Sequence, residues 1–158
     1  MKKFEFNTAN KKKYQELLTH YDDIQSALMP VLHLAQEQHS WLSPEVVAHI
    51  SELMGIPEIK INEVISFYDM FYDHPTARNV VQVCTNITCS MFGGREIHKG
   101  ILDHFQLHNM RPSQDGKLYI QKMECLGACE MAPCMRINNI YEGHLTLKTA
   151  VQKLEVLP

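Results

Sequence analysis

The chain has 158 residues, 45% hydrophobic and 21% charged, with a formal net charge of -3. That length holds one ordinary domain or two small packed ones, and the composition is that of a globular protein rather than a disordered one. With no basic excess and a single lysine run, Lys11-Lys12-Lys13, that reads as a solvated helix start, nucleic acid is excluded as a partner on charge.

The opening Met1-Lys2-Lys3-Phe4-Glu5-Phe6 leads into polar residues. It has neither an apolar signal core nor an Arg-rich, acid-poor transit pattern, so export is not expected. No window approaches the ~18 uninterrupted apolar residues of a membrane span, and contact with a membrane is expected only through a partner.

Residues up to about Asp73 read as helical. Asn10 to Tyr21 is a short polar helix with Tyr14, Leu17, Leu18 and Tyr21 at helical spacing. Ser26 is placed to cap a second helix through Gln38, with Ala27, Leu28, Val31, Leu32 and Ala35 as its apolar stripe and Pro30 in the first turn, where a missing amide costs least. Ser43-Pro44-Glu45 combines a hydroxyl cap, a proline at the first helical position and an acid at the positive end of the dipole, and Gly55 stops that helix. A fourth helix follows Pro57 and carries Ile61, Val64, Ile65, Tyr68 and Phe71 on roughly one face. Short amphipathic helices do not stand alone, so these four are expected to pack together or on a neighbour.

After His74-Pro75 the pattern changes. Asn79 to Cys84 is a short β-branched strand, Gly93-Gly94 opens a helix to Phe105, and Gln114-Asp115-Gly116 is a turn before a strand over Lys117 to Met123. Met135 to Ile137 and Ile140 to Leu145 form a hairpin across Asn138-Asn139, and Thr146 caps a final helix with Ala150, Val151 and Leu154 inward. The order strand, helix, strand, strand, strand, helix fits a thioredoxin-like α/β sandwich. The expected fold class is therefore α+β: an N-terminal helical bundle over residues 1–75, then a thioredoxin-like domain over 76–158.

Four of the five cysteines fall in two tight pairs, Cys84-x4-Cys89 and Cys125-x3-Cys129, each just past a strand. An odd number of cysteines in a chain without an export signal argues for metal or redox chemistry over a disulfide framework. Two loops that each give two soft thiolates are the simplest way to hold a 2Fe-2S cluster, one pair per iron, so Cys84, Cys89, Cys125 and Cys129 are the expected iron ligands. The oxidised centre carries a charge of about -2, and backbone amides near Gly127, Ala128 and Gly93-Gly94 are positioned to donate to it. Met91, Phe92, Met123, Leu126 and Met131 are the candidate apolar shell. Glu124 and Glu130 flank the ligands, which predicts a low-potential, one-electron centre unless Lys122, Arg95 or Arg136 points at the sulfides.

Structural zinc is the competing four-cysteine reading, although its knuckles favour C-x2-C turns. A dithiol oxidoreductase would need C-x-x-C at a helix start, and none is present. Cys134, beyond Pro133, is expected to be a buried thiol outside the ligand set, facing the core at the start of a strand, with competition as a ligand the lesser alternative.

These residues resemble the 2Fe-2S subunit family of NADH-quinone oxidoreductase, respiratory complex I, whose members carry a thioredoxin-like ferredoxin domain. The resemblance rests on Val83-Cys84-Thr85-Asn86 with Cys89, on Cys125-Leu126-Gly127-Ala128-Cys129 with Ala132-Pro133, and in the helical half on Leu32-His33-Leu34-Ala35-Gln36-Glu37, Trp41-Leu42-Ser43-Pro44 and Val64-Ile65-Ser66-Phe67-Tyr68. It departs at Cys134, where that family often has an apolar residue, and at Ser66, where it often has threonine. The resemblance implies a redox subunit without a nucleotide site of its own. Its cluster accepts one electron from reduced FMN on a separate flavin- and NADH-binding partner, beside further iron-sulfur subunits. It also implies a place at the cytoplasmic face of the inner membrane, peripheral and held there by the complex. Related assemblies, NAD-linked formate dehydrogenases and bidirectional hydrogenases, use the same kind of module; a free-standing thioredoxin-like ferredoxin is a second rival, and the structural zinc module is the rival from a different class. No G-x-G-x-x-G after a strand and no P-loop is present, in keeping with a partner that does the hydride chemistry.

His104 and His108 have metal-ligand spacing but no third partner, and are expected at the surface. Phe67 to Tyr72 is either a partner-facing aromatic patch or, for Phe67 and Phe71, core. Pro133 stands where thioredoxin-like folds often place a cis proline.

Overall fold

The computed structural model describes residues 4–158, and the first charged residues, Met1 to Lys3, lie outside it. The chain divides into two compact units, Met1–Pro75 and Thr76–Pro158.

The first unit holds α1 (Thr8–Leu18), a 3-10 turn (Ile24–Ala27), α2 (Leu28–His39), α3 (Pro44–Met54) and α4 (Glu58–Phe67). Its core is the meeting of the apolar stripes of α2, α3 and α4, with Val31, Leu32, Ala35, Val46, Ile50 and Ile61 all fully buried. Two glutamines on α2 fasten the irregular segments. Gln38 Nε2 donates to the Glu5 carbonyl at 2.8 Å while its Oε1 accepts from the Asn7 amide and Asn10 Nδ2. Gln36 Nε2 donates to the Met70 carbonyl and its Oε1 accepts the Tyr72 amide, each at 2.8 Å.

Several sequence expectations shift here. The first helix begins at Thr8, because the Asn7 side chain accepts the Asn10 amide and caps it. The second helix is entered through the 3-10 turn, capped by Asp23 rather than Ser26. Ser43 caps α3 and Gly55 ends it with φ at +66°, as the sequence suggests. Phe67 is 78% exposed rather than core, whereas Phe71 is buried. Two residues past the buried Ile65, Phe67 points about 200° away around the helix.

The second unit is a four-stranded sheet of β1 (Asn79–Cys84), β2 (Leu118–Met123), β3 (Met135–Ile137) and β4 (Ile140–Glu142) in the order β2-β1-β3-β4. β2 runs parallel to β1, while β3 runs antiparallel to β1 and to β4. A single-turn helix α5 (Ile87–Met91), which the sequence reading does not anticipate, stands between β1 and α6 (Gly94–Phe105), and α7 (Leu147–Glu155) closes the unit. Alternation along the strands sends Val81, Val83, Leu118, Ile120, Met135 and Ile137 into one core with Ile97 and Ile101 of α6 and with Ala150 and Leu154 of α7. Gln82 instead spans the sheet, donating to Gln121 Oε1 at 3.2 Å and accepting Arg136 Nε at 2.8 Å. At the hairpin, Asn138 pairs with Val80 through both its own amide and its side-chain oxygen. Thr146 and Thr149 form a reciprocal capping box for α7.

The Ala132–Pro133 peptide bond is cis. His104 reaches Glu155 at 3.1 Å on an exposed surface.

Ile101 is fully buried at the centre of the α6 contact with the sheet. Ile101→Ala is expected to destabilise the protein by about 2–5 kcal/mol, read as a lowered denaturant midpoint at unchanged m-value.

Candidate metal centre

Strand direction builds the site. Parallel pairing sets Cys84 opposite Met123, so both strands leave the sheet at the same end, and Cys125 follows two residues later. β3 runs the other way, so its first residues return to that end, and the Cys84 amide donates to the Cys134 carbonyl at 3.1 Å. All five cysteines are therefore gathered at one end of one sheet, Cys84 as the last residue of β1 and the others on the segments that leave or enter the strands there. Each is a free thiol.

The first loop is tightly wound. Thr85 donates its amide and its hydroxyl to the Met123 carbonyl at 2.9 and 3.1 Å, and Ser90 Oγ donates to the Thr85 carbonyl at 2.8 Å. The Asn86 side chain caps α5, whose single turn brings Cys89 back toward Cys84. Gly94 closes the loop: a side-chain carbon there would lie 2.7 Å from the Cys84 carbonyl oxygen and 2.8 Å from that of Cys89. Both are backbone atoms that cannot swing aside.

The second loop is braced from β4 onward. Tyr141 donates its hydroxyl to the Leu126 carbonyl at 3.0 Å, and the His144 and Leu145 amides donate to the Met131 and Pro133 carbonyls. Gly143 lies so close to Met131 that a Cβ there would overlap the Met131 side chain. Gly127 has φ at +70°, a turn that points its amide at Cys125 Sγ, 3.3 Å away.

Within this frame the thiols differ. Cys84, Cys89 and Cys134 are buried, and their sulfurs all lie within 4.8 Å of one another. Cys125 and Cys129 are exposed on the second loop. Ala128 is buried against the three inner thiols, with Leu126, Met131 and Ala132 packed around them. The expected apolar shell is thus half right. Leu126 and Met131 belong to it, and Met123 is half-buried with its sulfur accepting from Gln82. Met91 and Phe92, the last residue and the C-cap of α5, are 79% and 62% exposed, since Cys89 takes the inward side of that short helix.

The electrostatics follow the loops. Burial raises the Cys84 thiol, but the Asn86 and Leu126 amides, with the neighbouring thiols, outweigh it and leave Cys84 below the usual thiol range. Burial pushes the Cys89 thiol up, and burial beside the other two cysteines pushes Cys134 up to about 12. The Leu126 amide aimed at Cys84 shows that the second loop faces the first cysteine. Of the flanking cations, Lys122 pairs at 3.5 Å with Glu124, one of the acids beside the ligands, and Arg136 Nε is held by Gln82.

Sequence reasoning located the four paired cysteines at this sheet end but missed Cys134, which sits among the thiols instead of in the sheet core. The available signal was its position directly before a strand that must pair with β1. Its direction was the unknown.

The model of the family described as thioredoxin-like [2Fe-2S] ferredoxin matches residues 14–157. A subunit of the NADH-quinone oxidoreductase of Rhizobium meliloti is 32% identical over 125 residues, covering 79% of this chain and 74% of that protein. The corresponding NADH-quinone oxidoreductase subunit of Mycobacterium bovis is 32% identical over 143 residues, covering 90% of this chain, which spans only 57% of that relative's length. In a crystal structure of an NAD+-reducing [NiFe]-hydrogenase, 22% of one chain superposes on 78% of this one with a TM-score of 0.67 at 20% identity, a likeness of fold.

Because Gly94 has no room for a side chain between the Cys84 and Cys89 carbonyls, Gly94→Ala is expected to spread the first loop. Metal retained after a mild chelator challenge should fall on the order of tenfold, measured as iron per folded chain.

Proposed function

The chain belongs to the thioredoxin-like [2Fe-2S] ferredoxin family, and on that premise we propose that it is the electron-accepting subunit of an NADH:quinone oxidoreductase. The family's cofactor is a 2Fe-2S cluster. The donor set suits it: every candidate ligand is a soft sulfur, two loops at one sheet end supply them, and amides already point at Cys84 and Cys125. We assign Cys84 and Cys89 to one iron and Cys125 and Cys129 to the other. The bound cluster supplies a one-electron acceptor and donor.

The protein's part is to hold and tune. The Asn86, Leu126 and Gly127 amides direct partial positive charge at thiolate sulfurs, while Ala128, Leu126 and Met131 keep water from the inner pair. Glu130 adds negative charge beside the ligands, whereas the charge of Glu124 is partly met by Lys122 and Arg136 Nε is taken up by Gln82. Added negative charge disfavours the reduced form, so the reading is a low-potential centre. We further propose the 1–75 helical unit as the assembly domain, and as partner a flavin- and NADH-binding subunit that delivers one electron from reduced FMN. No helix among the described residues is long and apolar enough to cross a membrane. A position at the cytoplasmic face of the inner membrane then comes through the complex.

The observation that carries this reading is the convergence of both cysteine loops at one sheet end in a chain whose relatives are named as NADH-quinone oxidoreductase subunits. The hydrogenase likeness supports the fold of the same module in another assembly, and the proteins that copurify with this chain distinguish the two.

The anaerobically reconstituted chain is expected to hold two irons and two sulfides and, after dithionite, to give the paramagnetic signal of a two-iron centre. A colourless protein with one zinc would refute it. Cys125→Ala and Cys129→Ala should each lower bound iron by about tenfold or more. Size-exclusion chromatography with the flavin-binding partner should give one complex, and failure to associate sinks the assembly assignment while leaving the cluster assignment intact.

A further inference from the structure

Cys134 is not a bystander in the sheet core. Its sulfur lies 3.8 Å from that of Cys89, and with Cys84 the three thiols form one buried group within 4.8 Å. Two thiolates on one tetrahedral metal with bonds of about 2.3 Å stand about 3.8 Å apart, and Cys89 and Cys134 each lie within 4.8 Å of Cys84 and beside one another. Either can therefore be the second thiolate next to Cys84, and the pairwise scheme uses only one of them.

We propose that Cys134 is a reserve iron ligand that takes the place of Cys89 beside Cys84 on the first iron. This rests on the cluster assignment above. Cys84 is the fixed member, since it ends β1 and its own amide is bonded to the Cys134 carbonyl. Cys134 is anchored by that same bond and by the antiparallel start of β3, and its sulfur lies within 4.8 Å of that of Cys84, so it would meet an iron held by Cys84 without a change in the sheet. The exchange is redox neutral. The iron–sulfur bond to Cys89 breaks, that to Cys134 forms, and the proton lost by the Cys134 thiol is taken up by the Cys89 thiolate. The second pair has no such reserve, because the remaining cysteines of the chain are Cys125 and Cys129 themselves.

The test uses the full chain, reconstituted anaerobically with ferrous iron and sulfide, as the unsubstituted protein and as Cys89→Ala, Cys89→Ser and Cys89→Ser/Cys134→Ala. Iron and sulfide per chain and the paramagnetic signal after dithionite are the readouts, with circular dichroism reporting the fold. Cys89→Ala and Cys89→Ser are expected to keep iron and sulfide close to the unsubstituted level. Their signals should match each other while differing from the parent, since position 89 then no longer touches iron. The double variant should lose about tenfold or more. If both single variants hold no more iron than the double, Cys134 does not ligate and the proposal fails. It fails equally if the double variant keeps its cluster, which would mean that serine oxygen had replaced Cys89. Should Cys89→Ala not fold, the near-isosteric Cys89→Ser pair gives the answer alone. An unsubstituted chain that holds no two-iron cluster would instead overturn the function proposed above.

Discussion

The parallel pairing of β1 with β2 is the constraint on which the rest of the second unit depends. Two cysteine loops some forty residues apart in the chain meet only if their strands leave the sheet at the same end, and Cys84 opposite Met123 secures that. An antiparallel pair would have sent the loops to opposite ends, about one strand length or ~20 Å apart. Parallel neighbours require a crossover, and α6 supplies it, with Ile97 and Ile101 buried against the strands it connects. The packing of that helix and the proximity of the thiols are therefore one event. Gly94 is where they touch physically, since the first residue of the helix lies against the carbonyls of both first-loop cysteines.

The two halves of the site are built for different surroundings. The inner thiols lie under Ala128, Leu126 and Met131, in a medium that strengthens each amide–sulfur contact and penalises any charge left without one. The outer thiols, Cys125 and Cys129, sit on a loop that meets solvent, where Gly127 provides a local donor. The sulfurs are therefore open to solvent from the side of residues 124–130. The acids on that loop act over the same short distance, and their effect is screened less where the loop is covered than where it is wet.

How much of this was legible in the sequence depends on whether the signal is local. Strand β1, the cap and stop of α3, the turn before β2 and the capping threonine of α7 were readable because each is set by residues next to one another. The paired spacing of four cysteines was readable for the same reason. The sequence leaves Phe67 between a partner-facing patch and the core, and the structure exposes it, because it stands about 200° around the helix from the buried Ile65. The short helix α5 was missed because five residues give no period to detect, and its position is dictated by an Asn86 cap and by the return of Cys89 to Cys84.

Cys134 was misplaced for a reason that is not local at all. Its burial was expected, and it is buried, but the question of which core it enters turns on the direction of β3 relative to β1. Nothing in Met135-Arg136-Ile137 encodes that direction. It follows from the short return from β2: a chain that leaves β2 at the cysteine end and re-enters the sheet at Met135 beside β1 must run antiparallel to both. With β1 flanked by a parallel strand on one side and an antiparallel one on the other, the end of β1 collects one strand's exit and another's entrance. A cysteine at either of those positions is delivered to the thiols whatever its immediate neighbours, and that is why a residue outside the two sequence pairs becomes part of the same buried sulfur group.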